Sequence, residues 1–347
     1  GEKMQKDTQQ TNKWGSLNDF NKFNIKNYSL TSLFILILFI ILYFSFDQND
    51  IFSYTGGIYI NILIYILLAV SLNIAVGLMG QLSLGHAGFI AIGGYTAALV
   101  SKSMISSGLP EFIQLFISSI AGGIVAAIFG ALLGASTLRL RGDYLAIITL
   151  AFGEIIKYVI QNLDFLGGAT GLKNIPNITN FSNSFVFVVI SVIIMTMIMT
   201  SRKGREIISI RENEIAAENI GININRVKLY GFALSAFFAG IGGSLFAHNI
   251  GILTPDKFGF VFSIEILVMV VFGGLGSITG AIISAIMLTL LNEQLREVSQ
   301  FRYLVYAIIL IVLMIFRSEG LLGTKELTIP RFVRKIRTIK NRALNKK

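Results

Sequence analysis

The segment Glu206-Ile-Ile-Ser-Ile-Arg-Glu-Asn-Glu-Ile-Ala-Ala-Glu-Asn-Ile-Gly221 is a polar interruption between two long apolar runs, 181–200 and 227–247. Apolar runs of about 20 residues are long enough to cross the hydrocarbon core of a bilayer as helices. The polar residues between them therefore predict a connection that leaves the membrane and returns. Because the same alternation recurs along the chain, we predict an all-α polytopic membrane protein of about ten spans.

The polar segment itself has the pattern of a short helix. Asn213 is a favourable N-cap, Glu214 and Glu218 favour helix, and Gly221 is predicted to end the helix. Its apolar side is predicted to consist of Ile208, Ile215 and Ile220. This amphipathic pattern has two interpretations, a helix that docks a soluble partner or a loop that lies on the lipid surface.

Composition supports a membrane protein. Hydrophobic residues make up 54% of the chain and charged residues 14%, whereas soluble domains carry about 25% charged residues. The net charge of +10 is concentrated at the ends and in a few loops, as membrane orientation requires, so it does not indicate nucleic acid. The absence of cysteine excludes disulfides and thiolate metal sites.

Three regions are predicted: a flexible cytoplasmic tail (1–29), a transmembrane domain (30–316) with a polar loop at 202–226, and a basic cytoplasmic tail (317–347). Both termini are placed in the cytoplasm, because basic residues mark the cytoplasmic ends of spans. The basic tail is interpreted as a topology anchor, with binding to anionic head groups as the alternative. The ten predicted spans are 30–46, 57–76, 82–104, 112–138, 144–163, 181–200, 227–247, 258–272, 279–291 and 303–316.

The two short pieces at 258–272 and 279–291 flank Gly273-Gly274-Leu275-Gly276. They are predicted either as one broken helix or as a re-entrant pair. The glycine run does not have the spacing of a dinucleotide-binding loop, and it lies between apolar helices rather than after a strand. We therefore interpret it as a turn between helices.

Polar side chains within the apolar regions are candidates for the transport pathway or for internal packing. Gln81, Ser83 and His86 lie in a glycine-rich stretch, where small residues allow helices to approach closely. No metal site is predicted at His86, because the only other histidine is His248 and there is no cluster of Cys, His and Asp residues.

Three of the charged residues within predicted spans, Glu154, Lys157 and Glu265, are further candidates. Glu154 and Lys157 are three positions apart, so a helix brings them close enough to pair. We interpret them as a structural ion pair near the outer end of their span, with contact to a transported solute as the alternative. Glu265 is predicted to face the protein interior, because an unpaired charge in lipid is costly.

No catalytic site is predicted. The sequence contains no phosphate-binding G-x-x-x-x-G-K-[ST] motif, and no nucleophile, base and orienting group are grouped together. If ATP drives this protein, a partner must bind the nucleotide. We therefore predict no enzyme activity, no cofactor and no metal for this chain.

Three stretches, Gly77–Phe89, Leu138–Ile156 and Gly204–Gly243, resemble the permease subunits of ABC importers, most closely the M-type inner-membrane component of the branched-chain amino-acid family. The resemblance covers roughly residues 57 to 323. It implies a permease in the bacterial cytoplasmic membrane that imports leucine, isoleucine and valine. It also implies a sister permease, two ABC ATPase subunits that bind ATP, and an extracytoplasmic substrate-binding protein.

In that family the polar loop carries a coupling helix that fits a groove on the ATPase. The resemblance thus implies ATPase contacts at Ile210, Arg211, Glu212, Asn213, Glu214, Ala217 and Gly221. Three other functions remain open: an ABC permease for urea or short amides, an ion-coupled secondary transporter that uses Glu154, Lys157 and Glu265, and a membrane-embedded enzyme.

Overall fold

The computed structural model describes residues 54–136 and 143–296, together with Leu304, Val305, Ala307, Ile308, Ile311, Gly320, Leu321 and Gly323. The first predicted span (30–46), the predicted N-terminal tail (1–29), Arg139 and Arg141 lie outside the described residues, as do most of the last span (303–316) and most of the predicted C-terminal tail (317–347).

The described part of the chain is helical throughout its regular structure, apart from a bridge between Leu172 and Leu253. The helices, in chain order, are α1 (Tyr54–Asn73), α2 (His86–Met104), α3 (Glu111–Ser136), α4 (Asp143–Gln161), α5 (Phe181–Thr200), α6 (Arg202–Glu212), α7 (Glu214–Asn219), α8 (Ile224–Ile250), α9 (Phe260–Gly273) and α10 (Ile278–Gln294). A π-helix, Ile74–Leu78, continues α1. Short 3-10 turns occupy Ile105–Ser107, Asp164–Leu166, Gly168–Thr170 and Pro255–Phe258.

Five of the described helices are long and apolar enough to cross a membrane. They are Gly56–Leu78, Glu111–Ser136, Tyr144–Gln161, Phe181–Thr200 and Ile224–Ile250. Helices α9 and α10 are apolar but shorter, and α9 with 14 residues extends about 21 Å. This architecture confirms the all-α polytopic fold class.

The core lies where α8 packs against α2 and α3, and glycines at these contacts allow the backbones to approach closely. A Cβ atom added at Gly93 would lie 2.2 Å from the Cα atom of Gly240, and one at Gly243 would lie 2.1 Å from the carbonyl oxygen of Ile90. A Cβ atom at Gly122 would lie 2.5 Å from the carbonyl oxygen of Gly93. Only glycine permits backbones to approach this closely, which explains why these spans are so rich in it.

Two non-helical connections, one between α1 and α2 and the other between α9 and α10, leave backbone groups outside regular helices. The first break separates α1 and its π-helix from α2 and includes Gly80, whose φ is +72°. The predicted span beginning at residue 82 therefore begins later, at His86. The second break, at Gly274 to Ser277, separates α9 from α10, which pack against each other as two distinct helices.

Candidate functional site

The polar connection between α5 and α8 forms two helices, not the single helix that the sequence predicts. Ser201 begins α6 and accepts a hydrogen bond from the backbone N–H of Gly204. Asn213 adopts an extended conformation (φ −162°, ψ 108°), ends α6 and begins α7. Its Oδ1 atom accepts a 3.0 Å hydrogen bond from the N–H of Ala216, so the predicted N-cap is confirmed.

The end of α7 is also as predicted. Gly221 has φ +87°, a conformation that glycine adopts without strain. The N–H of Ile222 donates to the carbonyl of Ala217 at 3.1 Å, and the N–H of Gly221 donates to that of Glu218 at 2.9 Å. These two bonds form a Schellman motif, which fixes the return of the chain toward α8.

Of the predicted apolar side of the connection, Ile208 is half-buried, whereas Ile215 and Ile220 are exposed. The residues that pack inward are Ile207, Ile210 and Ala217. Ile215 is 63% exposed and Ile220 is 76% exposed. Because the helix breaks at Asn213, the helical periodicity of α6 does not continue through α7. The tip of the connection therefore presents two large apolar side chains at the surface.

An ion pair ties α7 to α8. Lys228 on α8 is only 2% exposed, and its Nζ atom donates a 2.8 Å hydrogen bond to Oε1 of Glu214 on α7. A buried ammonium requires a partner, because removing the charge from water is costly. This bond therefore holds the start of α7 against the base of α8.

A second bond ties α6 to the break after α1. The Nη1 atom of Arg211 donates a 2.7 Å hydrogen bond to the carbonyl oxygen of Gly77 in the π-helix. The same guanidinium pairs with Oε1 of Glu212 at 2.9 Å. Gly80 lies beneath this side chain, since a Cβ atom there would be 2.7 Å from Cγ of Arg211.

The turn between α9 and α10 lies next to the end of α1 and the side chain of Arg211. The side chain of Asn73 accepts a 3.0 Å bond from the N–H of Gly276 and donates a 3.1 Å bond to the carbonyl of Ser277. A Cβ atom at Gly276 would lie 2.5 Å from Nη1 of Arg211. The polar connection and both helix breaks thus meet around Arg211, and we call Asn73, Gly77, Arg211 and Gly276 the junction.

The residues predicted to contact an ATPase differ in their accessibility. Glu212, Asn213 and Gly221 are exposed. Arg211 and Glu214 are half-buried and engaged within the chain. Ile210 and Ala217 are buried, so their side chains face inward and are not available to a partner. Ile215 and Ile220, which the sequence pattern assigned to the apolar side of the helix, are surface residues.

The polar candidates in the first break face inward to different degrees. Ser83 and His86 are each 1% exposed, and Gln81 is half-buried. The Nε2 atom of His86 lies 2.9 Å from Oγ of Ser71, which itself donates to the carbonyl of Leu68. His86 thus helps to hold α2 against α1, and no group of three or more potential metal ligands occurs among the described residues.

The three charged candidates, Glu154, Lys157 and Glu265, line one cavity of about 520 Å³. Lys157 lies 3.8 Å from Oε2 of Glu154, as the predicted pair requires, and also 3.8 Å from Oδ1 of Asp256. The other oxygen of Glu154 accepts a 2.8 Å bond from the N–H of Phe260, the first residue of α9.

Glu265, on α9, lines the same cavity. Its carboxyl group is buried, as predicted, and accepts a 2.9 Å bond from Nδ2 of Asn292. Sequence reasoning missed Asp256 and the aromatic lining of this cavity, because they come from turns and helices far apart in the chain. The aromatic residues are Tyr65, Phe246, Phe260 and Phe262.

A family model and curated relatives match this chain. The model described as "Branched-chain amino acid transport system / permease component" matches residues 54–316. No solved structure matches this chain.

Curated relatives include the high-affinity branched-chain amino acid transport system permease protein LivM of Escherichia coli K12. It is 37% identical over 295 residues, which cover 75% of this chain and 68% of the relative. LivM of Salmonella typhimurium is 36% identical over the same shares of the two chains. A more distant relative, LivH of E. coli K12, is 24% identical over 76% of this chain and 92% of its own length.

Proposed function

The chain belongs to the family of permease components of branched-chain amino acid transport systems, and we propose from this premise how it works within a complete ABC importer. It is a multi-pass permease subunit of the inner membrane and not an enzyme. Family membership does not favour a urea or short-amide permease, an ion-coupled transporter or a membrane enzyme.

The assembly that we propose contains four other components. A sister permease pairs with this chain, in keeping with its similarity to both LivM and LivH proteins. Two ABC ATPase subunits bind and hydrolyse ATP, and an extracytoplasmic protein delivers the solute. The permease itself carries no cofactor and binds no nucleic acid.

Helices α6 and α7 are proposed to form the docking element for one ATPase subunit. The observation that carries this proposal is the exposed apolar tip, Ile215 and Ile220, held on a short helix with defined caps at both ends. Exposed apolar surface of this kind can mark a protein contact. Glu212, Asn213 and Gly221 surround this tip and supply polar contacts at its rim.

The junction is proposed to carry the motion of α6 into the membrane helices. Arg211 bonds directly to the π-helix, and Asn73 bonds to the turn before α10. A displacement of α6 therefore acts on two helix breaks at once. For ATP to drive alternating access, the ATPase contact must differ in free energy between the inward-facing and outward-facing states.

In this proposal, the positions of basic residues determine the orientation of the chain in the membrane. Arg202, Lys203 and Arg205 at the start of α6 favour a cytoplasmic position for the connection, because basic residues are enriched in cytoplasmic loops. Both termini lie on that side as well, with tails at 1–29 and 317–347 flanking the transmembrane domain. The basic C-terminal tail acts as a topology anchor.

Reconstitution tests this function. The permease pair, the ATPases and the binding protein are placed in vesicles with ATP inside and radiolabelled leucine outside, where the binding protein is supplied. We expect uptake that requires ATP and every component. Uptake that persists without the ATPases and collapses with the ion gradient would instead support secondary transport.

A further inference from the structure

Three charged side chains, Glu154, Lys157 and Asp256, connect α4 to the turn that precedes α9. Glu154 and Lys157 lie on α4, and Asp256 lies on the 3-10 turn Pro255–Phe258. We call these three residues the outer cluster. They lie toward the end of α4 that leads into segment 162–180, and α5 separates that segment from α6. The proposed coupling path through the junction does not use them.

Lys157 is the cation of the outer cluster. Its Nζ atom lies 3.8 Å from Oε2 of Glu154 and 3.8 Å from Oδ1 of Asp256. Both separations allow attraction but exceed the roughly 2.7 to 2.9 Å of a charge-assisted hydrogen bond. Asp256 is 74% exposed, and ion pairs that reach solvent contribute little to stability. The ionic contact between α4 and the turn is therefore weak enough to open and close reversibly.

Glu154 also binds the first residue of α9. Its Oε1 atom accepts a 2.8 Å hydrogen bond from the backbone N–H of Phe260. A carboxylate is favourable there, because the first N–H groups of a helix have no partner within it and carry partial positive charge. Gly259 lies against both charges, since a Cβ atom there would be 3.7 Å from Oε1 of Glu154 and from Nζ of Lys157. The outer cluster thus joins α4 to the start of α9 through polar contacts.

The opposite side of the same turn is held by aromatic packing. Phe258 is 1% exposed, and three rings lie with centroids 6.2, 5.9 and 6.1 Å from its own, those of Tyr95, Phe246 and Phe262. The hydroxyl of Tyr95 donates a 2.9 Å bond to the carbonyl of Leu253, just before the turn. Separating buried aromatic side chains is costly. A movement of α4 relative to the turn therefore breaks the polar contacts and leaves the aromatic contacts in place.

Thr149, near the middle of α4, holds this helix on the first break. Its hydroxyl accepts a 3.0 Å hydrogen bond from the N–H of Leu84. A Cβ atom added at Gly85 would overlap the carbonyl oxygen of Thr149, so the two backbones are in close contact. The first break directly follows the π-helix to which Arg211 is bonded. Because Thr149 and Lys157 are only about 12 Å apart along the helix, a displacement of the first break is carried to the outer cluster.

Helix α9 connects the outer cluster to the second break. The helix begins at Phe260, beside Glu154, and ends at Gly273, where the second break begins. Gly276 in that break donates to the side chain of Asn73 in the junction. Helices α4 and α9 thus each contact one helix break and also meet at the outer cluster. Two paths that start at the junction therefore converge on the same three charged residues.

We propose that the outer cluster is an ionic latch, which closes the side of the permease opposite α6 and opens once in each transport cycle. The latch is closed in this structure. When the junction is displaced, Lys157 separates from Asp256 and Glu154 separates from the N–H of Phe260, while Phe258 keeps the turn in place. This inference rests on the proposed ATP-driven function and assigns its outer gate to particular residues.

The test measures the distance between two spin labels in the complete importer in nanodiscs, with the other subunits made cysteine-free. This chain contains no cysteine, so Val159→Cys and Lys257→Cys can be labelled selectively, and both positions are exposed. We expect the label separation to increase by about 5 Å, the size of a one-turn helix displacement, between the nucleotide-free and the vanadate-trapped importer. Labels at Ile250 and Lys257 report on α8 and the same turn, and their separation is expected to stay constant.

Charge variants test the latch itself. Asp256→Asn removes one of its carboxylates, so we expect the nucleotide-free importer to shift toward the longer distance. Hydrolysis of ATP without the binding protein is expected to rise about threefold, as the loss of a weak ion pair allows. Lys157→Gln should behave in the same way, whereas Lys157→Arg keeps the charge and should not. Asp164→Asn, at an exposed acid in the turn after α4, is the matched control and should change neither quantity.

The outcome for the latch is distinguishable from the outcome for transport. The same Val159–Lys257 distance in both nucleotide states would overturn the latch, as would Asp256→Asn and Lys157→Gln variants that behave like Asp164→Asn. ATP-driven leucine uptake by the same preparation tests the proposed function alone. Uptake with a fixed distance would reject the latch and leave the transport function intact. No uptake by the unaltered importer would reject the transport function itself.

Discussion

The guanidinium of Arg211 donates a 2.7 Å hydrogen bond to the carbonyl oxygen of Gly77, 134 residues earlier in the chain. One residue belongs to the connection outside the apolar helices, and the other belongs to the π-helix that ends α1. This contact is the direct physical link between the proposed ATPase contact and the interrupted helices.

The first prediction concerns this link. Replacing Arg211 with methionine removes a charge-assisted hydrogen bond, worth about 1.5 to 3 kcal/mol, but leaves the exposed tip of α7 unchanged. We expect the ATPases to remain bound while the leucine transported per ATP hydrolysed falls about tenfold. The measurement is the ratio of uptake to phosphate release in vesicles.

Arg202→Met is the matched control, because Arg202 lies on the same helix but its side chain is 90% exposed. Exposed ion pairs contribute little, so this variant is expected to transport normally. An unchanged transport ratio in Arg211→Met would remove the junction from the coupling mechanism.

The second prediction concerns the apolar tip. Placing aspartate at Ile215 or Ile220 introduces a charge where the proposed ATPase contact is apolar, and burying it without a partner is costly. We expect co-purification of the ATPases to fall at least tenfold, with uptake reduced in parallel. Membrane insertion should be normal, because both side chains are exposed in the permease.

Ile252→Asp provides the control for the tip variants. Ile252 is an exposed isoleucine that follows the other end of α8. Its substitution should leave ATPase binding intact. Full ATPase binding by both tip variants would contradict the docking assignment.

The third prediction concerns the pair between Lys228 and Glu214. Glu214→Gln leaves the buried ammonium of Lys228 without its carboxylate, which typically costs about 3 to 5 kcal/mol. We expect a clear loss of thermal stability in detergent. The double variant Glu214→Gln with Lys228→Met removes both charges and should recover most of that loss; equal destabilisation by the single and double variants would contradict this account.

The fourth prediction concerns the glycine contact between α2 and α8. Gly93→Ala places a Cβ atom 2.2 Å from the backbone of Gly240, which cannot move aside as a flexible side chain would. We expect a loss of about 1 to 3 kcal/mol in stability, seen as a lower yield and a lower unfolding temperature.

Gly57→Ala is the control for this substitution, since no atom from elsewhere in the described part of the chain lies within 4 Å of a Cβ added there. It should have little effect on yield or unfolding temperature. Equal tolerance of alanine at both positions would mean that the helices are not packed as closely as described.

Local rules predicted the parts of this molecule that depend on neighbouring residues. Asn213 as an N-cap and Gly221 as a stop follow from the chemistry of the helix ends, and the pairing of Glu154 with Lys157 follows from their spacing. The long apolar helices follow from length and composition.

Features that depend on distant residues could not be predicted. The break at Asn213 changes which isoleucines are buried, and only the packing of α6 against its neighbours decides that Ile210 faces inward while Ile215 does not. The bond of Arg211 to Gly77 and the approach of Asp256 to Lys157 join separate elements. No periodicity within one segment encodes them.

The most direct test of the central claim is leucine uptake by vesicles that contain the complete importer, with ATP supplied only on the side of α7. The account predicts concentrative uptake that stops when the ATPases are omitted or when Ile220 is replaced by aspartate. Concentrative uptake at an unchanged rate without the ATPases would contradict it.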